Sequence, residues 1–179
     1  LIGLVGTENA EAGEITVPAK KLLDICKELP DKAEVVFELV DSRLLIKSGR
    51  FKSNLSTLPA ADFPSVDRSV VEITTRIESK SFKSLLDRTS FAMAHQDVRY
   101  FLNGMLLELG DGYIRSVATD GHRLAMSSLS QDSGNTTMKQ VIVPRKGVIE
   151  LQRLLGDLDG EIEVSFGANH LCAKSDNFT

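Results

Sequence analysis

Apolar residues recur along this chain at two spacings. From Pro18 to Leu29 they fall at Leu22, Leu23, Ile25, Cys26 and Leu29, the three-and-four rhythm of a helix with one buried face. Pro18 opens that stretch, where a missing N–H costs nothing because first-turn donors have no partner inside the helix. Pro144 to Leu155 repeats the pattern with Val148, Ile149, Leu151, Leu154 and Leu155. A third helix is predicted from Ser79 or Ser81 to Ala94, with serine caps and with Phe82, Leu85, Leu86 and Phe91 on its apolar side. Other segments are short, rich in Val, Ile and Leu and bounded by turn residues, and they read as strands. They are Glu34 to Leu39, Arg43 to Lys47, Val70 to Ile77, Gly104 to Leu109, Tyr113 to Ala118, His122 to Ser128, Gln140 to Val143, Glu161 to Phe166 and His170 to Lys174. Asp111-Gly112 is a hairpin turn between two of them. Ser130 to Thr137 reads as a polar surface loop and Pro59 to Pro64 as a linker. Many short strands, few helices and no strict alternation give an α+β fold with antiparallel sheets.

The pattern contains a repeat. Val17-Pro18-Ala19-Lys20 returns as Val143-Pro144-Arg145-Lys146, an offset of 126, and each copy opens an apolar helix. Pro30-Asp31 and Gly156-Asp157 stop those helices. Glu34 to Phe37 then aligns with Glu161 to Val164, and Leu44 to Ser48 (LLIKS) with Leu171 to Ser175 (LCAKS), both at an offset of 127. In the second copy, strands and a helix fill the stretch from Ile77 to Val143, whereas only 16 residues precede Val17. The expected organisation is the latter part of one unit followed by most of the next, in a chain cut at both ends.

Composition changes this picture little. An apolar share of 42% and a charged share of 26% are ordinary for a globular protein. No apolar run approaches the roughly 18 residues that span a bilayer, and no signal segment opens the chain, so a cytoplasmic protein is expected. Cys26 and Cys172 form no CxxC pair and are expected to be reduced, buried thiols.

Charge is more informative in its distribution than in its sum of −4. Lys20, Lys21, Lys27, Lys80, Lys83, Arg88, Arg145, Lys146 and Arg153 lie on or beside the three helices, against Asp24, Glu28, Asp87, Asp97 and Glu150. The helices therefore carry +4 and the rest of the chain −8. Ordinary solvated helix faces account for such a split. So does a helical surface facing phosphates, inside an exterior that repels nucleic acid.

Phe91-Ala-Met-Ala-His-Gln-Asp-Val-Arg-Tyr-Phe-Leu-Asn-Gly-Met105 and Val117-Ala-Thr-Asp-Gly-His-Arg-Leu-Ala125 are two distinctive stretches. Both closely resemble the bacterial DNA polymerase III beta subunit (beta sliding clamp) family. Val143 to Leu151 and Leu55 to Pro64 are similar to the family too, and the resemblance runs in order through essentially all 179 residues. It implies the DNA-clamp fold, with sheets outside and helices lining a concave inner face. Residues 1–67 would be the latter part of the first clamp domain, 68–75 a linker and 76–179 nearly all of the second, with the third absent. The implied function is that of a processivity factor: a ring around duplex DNA that tethers the replicative polymerase and repair proteins. Its implied partners are double-stranded DNA without sequence preference and, through short linear motifs, the DNA polymerase III alpha subunit, the clamp loader and repair polymerases. A homodimer is implied for the full-length protein, and no membrane.

The same resemblance implies two sites. Lys20, Gln96, Tyr100, Phe101, Arg145 and Lys146 would contact DNA. The family often shows two tyrosines where this chain has Tyr100-Phe101, so one hydroxyl is lost and a stacking face kept. Without the resemblance, the pair reads as a buried aromatic contact. Leu102, Thr119, Gly121, His122, Arg123 and Leu124 would form the second-domain half of a cleft for partner peptides, with apolar walls and a glycine permitting close backbone approach.

Enzymatic readings find little support. Asp120 and His122 sit close together, but neighbouring strand positions alternate faces and no GxSxG elbow accompanies them. His95, His122 and His170 lack metal-ligand spacing, and neither GxxxxGK[ST] nor GxGxxG occurs. No catalytic residue, metal or cofactor is expected; in the family, ATP is used by a separate loader. The alternative reading is a non-catalytic docking scaffold of the same duplicated fold that does not encircle DNA.

Overall fold

The computed structural model describes residues 2–3, 5–8, 11–64, 71–131, 137–156, 158–168, 170–176 and 178–179. In chain order its elements are β1 (Ile15–Thr16), α1 (Ala19–Glu28), β2 (Val36–Val40), β3 (Arg43–Ser48), β4 (Phe51–Ser56) and β5 (Leu58–Pro59). There follow β6 (Val71–Glu78), α2 (Ser79–Ser90), β7 (Gly104–Gly110), β8 (Tyr113–Thr119), β9 (Leu124–Ser130) and β10 (Lys139–Pro144). The series ends with α3 (Arg145–Gly156), β11 (Glu161–Gly167) and β12 (Leu171–Lys174), and 3-10 turns lie at Ala60–Asp62 and Tyr100–Asn103. The chain divides into two compact units, one within residues 7–66 and the other within residues 67–179 joined by residues 1–6.

In the smaller unit, Leu22 and Ile25 of α1 bury against Leu44, Ile46 and Leu55 of an antiparallel β2-β3-β4 meander, with Val17 and Val35 at the margin. In the larger unit two antiparallel sheets, ordered β10-β7-β8-β9 and β12-β11-β6, share one core with α2 and α3. Strand alternation sends Met105, Leu107, Leu109, Ile114 and Ala118 inward to meet Phe82, Leu85 and Leu86 of α2, and Val148 and Leu155 of α3. Ile162, Val164 and Phe166 close the core from β11. The two helices run antiparallel: Gln152 donates to Asp87 Oδ1 at 2.8 Å and to Ser90 Oγ at 3.1 Å, while Arg145 reaches the Met93 carbonyl at 3.4 Å. A hydroxyl ties helix to sheet, Ser116 Oγ donating to the Leu85 carbonyl at 2.9 Å.

The duplication is written into strand register. Val36 pairs with Lys47 and Glu38 with Leu45; Glu163 pairs with Lys174 and Ser165 with Cys172, each a shift of 127 residues. Identical pairing through two copies follows from identical spacing of the turn between the strands.

Several boundaries differ from the sequence expectation, for physical reasons. Helix α2 ends at Ser90 rather than Ala94, because the Leu102 carbonyl accepts the Ala94 N–H at 3.0 Å and pulls the chain out of the helix; Phe91 is left exposed. Its cap is Glu78, whose carboxylate accepts the Ser81 N–H at 2.6 Å, while Ser79 is buried and donates to the Leu158 carbonyl. Strand β9 begins at Leu124, since 120–123 form a turn. Strand β4 went unread because Lys52-Ser53-Asn54 breaks the apolar pattern. The linker expected at Pro59 to Pro64 starts inside a strand pair, Pro59 facing Ile15, and residues 71–75 of the linker expected at 68–75 belong to β6. Gly3 bridges Phe178, so the first residues pack with the larger unit. Cys26 is exposed and Cys172 half-buried, so neither is the buried thiol expected. Residues 132–136 of the expected polar loop lie outside the described residues, as do 68–70 and Asp157.

Phe82 is fully buried at the centre of the larger core. Phe82→Ala is expected to cost about 3–5 kcal/mol of stability. The measurement is the urea midpoint followed by tyrosine fluorescence, since both tyrosines, Tyr100 and Tyr113, lie in that unit and the chain has no tryptophan.

Candidate functional site

Antiparallel ladders bring distant residues to one end of the four-stranded sheet. Leu106 faces Val117 and Val117 faces Met126, so the start of β7, the end of β8 and the start of β9 coincide. Pro144 at the end of β10 faces Gly104. Tyr100, Phe101 and Leu102 lead into β7, Thr119 to Leu124 join β8 to β9, and Arg145 and Lys146 follow β10. All the candidate residues of the larger unit except Gln96 thus flank one sheet end, and Gln96 lies in the loop that leads there. Lys20 is exposed on α1 of the smaller unit.

The 119–124 connection is a self-contained polar turn. Asp120 Oδ1 accepts the N–H groups of His122 and Arg123, both at 3.0 Å, and Oδ2 pairs with Arg123 Nε at 3.0 Å. Those two backbone donors, His122 first, hold the Asp120 carboxyl below its ordinary range. Thr119 Oγ1 donates to the Arg123 carbonyl at 2.7 Å and accepts from Gly121 N–H at 3.1 Å. Gly121 sits at φ +90°, a conformation side chains resist. The turn leaves Gly121, His122, Arg123 and Leu124 exposed, Thr119 and Leu102 half-buried. Asp120 serves to bend the chain. Strand alternation does not apply to Asp120 and His122, because both lie in this turn before β9 begins at Leu124.

Facing this turn is the loop that follows α2. Arg123 Nη2 donates to the Phe91 carbonyl at 2.7 Å and its guanidinium lies 5.6 Å from the Phe91 ring centroid. A Cβ on Gly121 would stand 3.1 Å from Arg99 Nη2. Arg99 in turn forks onto Asp97, through Nε at 3.0 Å and Nη2 at 2.9 Å. The hydrogen bonds from Arg99 are the main reason the Asp97 carboxyl falls to about 2. Tyr100 and Phe101 project beyond this loop as an edge-to-face pair with centroids 5.9 Å apart. Tyr100 is 84% exposed and Phe101 48%, so they are not the buried aromatic contact that spacing alone allows.

Ion pairs thin out the positive charge of the helices. Lys80 pairs with Asp159, Lys83 with Asp87 and Arg153 with Glu150. Among the described residues, Arg88 and Lys146 in the larger unit and Lys20, Lys21 and Lys27 in the smaller one have no ion-pair partner. Arg145 is half-buried, and one guanidinium N–H donates to the Met93 carbonyl at 3.4 Å, a neutral acceptor that leaves its charge uncompensated. Among the described residues, positive charge without an ion-pair partner near the sheet end therefore rests on Arg145 and Lys146 at the start of α3 and on Arg88 near the end of α2. Asp97, Arg99, Asn103 and Phe91, which support the site, are not among the site residues that sequence reasoning names; their signal is that all four fall in the stretch Phe91 to Met105, three of them in a short run Asp-x-Arg-x-x-x-Asn.

Comparison with known proteins bears on this geometry. The family model for the DNA polymerase III beta subunit N-terminal domain matches residues 3–67, and that for the central domain of the same subunit matches residues 76–179. The beta sliding clamp of Pseudomonas aeruginosa is 52% identical over 180 residues, covering 100% of this chain and 49% of that protein. That of Escherichia coli K12 is 48% identical over 168 residues, covering 94% of this chain and 46% of that protein. The crystal structure of the Pseudomonas aeruginosa DNA polymerase III subunit beta superposes with a TM-score of 0.93 at 51% identity, over 98% of this chain and 48% of that one. Caulobacter crescentus pol III beta superposes at 0.83 with 34% identity, over 90% of this chain and 46% of that one. The chain spans about half the length of the curated relatives it matches.

Two outcomes are expected from this site. A carboxylate whose folded pKa is depressed contributes stability above its ordinary value, and that contribution is lost as pH falls through the folded one. Asp97 therefore holds Arg99 at neutral pH and releases it between its ordinary 3.8 and about 2. Carboxyl NMR of Asp97 checks this, and a midpoint near 3.8 would contradict it. Gly121→Ala forces φ +90° on a residue with a side chain beside Arg99. It is expected to cost about 1–3 kcal/mol, read as a lowered melting temperature.

Proposed function

The chain belongs to the DNA polymerase III beta subunit family, and on that footing we propose that it is part of a non-catalytic sliding clamp. In this reading, two copies of the full-length protein close a ring around duplex DNA in the cytoplasm. The ring tethers the polymerase III alpha subunit, the clamp loader and repair polymerases through short linear motifs. The boundaries proposed for the clamp domains are 1–67 and 76–179, with the helices of each facing the DNA.

One observation carries the proposal: Tyr100, Phe101 and Lys146, all exposed, stand at the same sheet end as the Thr119–Leu124 turn. Exposed aromatic rings are costly to present unless something stacks on them, and DNA offers a base or sugar face. Lys146, Arg145 and, on the smaller unit, Lys20 supply contacts to phosphates that read no sequence. Gln96 adds a polar side chain to the same loop. On the other side, Leu102, Thr119, Gly121, His122, Arg123 and Leu124 give one wall of a peptide cleft. Leu124 and Leu102 provide apolar surface, and Gly121 admits a backbone.

The mechanism is topological. A closed ring leaves DNA only when a protein interface opens or a DNA end passes through, so individual phosphate contacts can be weak and screened. Weak contacts permit sliding, and the cleft keeps a bound polymerase at high effective concentration near the primer end.

The test compares full-length rings loaded on circular and on linear DNA. Retention is expected on the circle and run-off from the linear form; equal retention on both would sink the encirclement reading. On the linear form, where the ring leaves by sliding past an end, Arg145→Glu with Lys146→Glu is expected to shorten retention by roughly tenfold at moderate salt, because two phosphate contacts become repulsive. Unchanged retention with intact partner binding would favour a docking scaffold without DNA encirclement.

A further inference from the structure

Because Tyr100 and Phe101 stand in solvent, burial of their rings does not hold the loop that presents them. The restraint is polar and centres on two residues. Asn103 uses both ends of its side-chain amide on one neighbour: Oδ1 accepts the Asp97 N–H at 2.9 Å and Nδ2 donates to the Asp97 carbonyl at 2.8 Å. The Asp97 carboxylate accepts from Arg99 three times, from the backbone N–H at 2.8 Å and from the guanidinium through Nε and Nη2. The Arg99 carbonyl accepts the Leu102 N–H at 2.9 Å, and the Leu102 carbonyl accepts the Ala94 N–H at 3.0 Å. This circuit closes residues 94–103 without engaging either aromatic ring. It also contains Gln96, a non-glycine residue at φ +58° that persists only where its surroundings insist on it. On its far side, the Arg99 guanidinium packs against Gly121.

Resting on the DNA-contact and cleft assignments proposed above, we infer that Asp97 and Asn103 are positioning residues: through one loop they hold Tyr100 and Phe101 toward DNA and Arg99 against Gly121 of the peptide cleft, so that both sites share a single support. The Asp97–Asn103 lock acts through the residues it aims and touches neither ligand itself. A partner peptide that displaces Arg99 pulls on the carboxylate that also fixes the Tyr100 turn, so occupancy of the cleft and contact with DNA are linked, and by reciprocity each alters the other.

The experiment uses the full-length ring in four forms: unaltered, Asn103→Ala, Tyr100→Ala with Phe101→Ala, and all three substitutions together. Lifetime on linear duplex DNA, where the ring leaves by sliding past an end at a rate its contacts set, and affinity for a fluorescent peptide copied from the clamp-binding motif of the polymerase III alpha subunit are both measured. Asn103→Ala is expected to shorten the DNA lifetime and weaken the peptide by roughly fivefold each. In the background lacking both aromatics it is expected to add nothing to the DNA loss, while its effect on the peptide persists. A general structural defect would add to both losses in every background. That result, or no change on either readout, would overturn the inference. Asp97→Asn removes the guanidinium pairing while preserving side-chain size, and it serves as the second variant if Asn103→Ala lowers the melting temperature. If removing the two aromatics leaves the DNA lifetime unchanged, the DNA assignment itself fails. The lock is then judged by the fluorine NMR shift of 3-fluorotyrosine at position 100, which must move on Asn103→Ala and overturns the inference if it does not.

Discussion

The contact of α2 with the inner face of the β10-β7-β8-β9 sheet constrains everything at the sheet's end. Phe82, Leu85 and Leu86 share one core with Met105, Leu107, Leu109 and Ile114. Since side chains alternate along a strand, a slip of one residue in β7 or β8 would turn that whole set toward water, so burial fixes the register. Register in turn fixes where the strands stop. Gly104 meets Pro144 and Thr119 meets Leu124 at the same margin, and the residues before, between and after them become neighbours without any attraction of their own.

Apolar and polar interactions divide the work. The core sets strand position to within a residue, whereas the connections are shaped by side-chain oxygens satisfying backbone donors. Asp120 does this in the β8–β9 turn, Asp97 and Asn103 in the loop before β7, and Glu78 at the start of α2. A buried polar knot does the same across three strands. Glu108, 7% exposed, accepts from Gln140, from Tyr113 at 2.7 Å and from Arg115 at 3.2 Å, and the Gln140 bond leads in holding its carboxyl below the ordinary range. Charged groups at the surface contribute differently. Exposed pairs such as Lys80–Asp159 add little stability, but they remove local positive charge and leave Arg145, Lys146 and Arg88 to dominate that region. For the proposed tether this suffices, since topology rather than binding strength would provide retention.

Much of the fold was readable because it is periodic. All three helices were placed within a few residues, most strands likewise, and the duplicated spacing gave two copies that share register. What escaped was aperiodic. β4 carries Lys52, Ser53 and Asn54 and is a strand because β3 needs a partner, and β1 and β5 are two-residue pairings without any pattern of their own. Helix α2 lost its last turn to a hydrogen bond from residue 94 to residue 102, which no local propensity encodes.

The site divides along the same line. Sequence by itself determined which residue types stand where: the α+β class, the repeat, the basic helices, and through its resemblance the motifs around Tyr100 and Thr119. Those are properties of order along the chain, which spacing preserves. Only the tertiary structure decided that Tyr100, Gly121 and Lys146 flank one sheet end, that the aromatic pair is exposed, and that Asp97 and Asn103 brace the loop that carries it. Such facts depend on antiparallel register and on hydrogen bonds inside an aperiodic loop, and both come into being only when the core has closed.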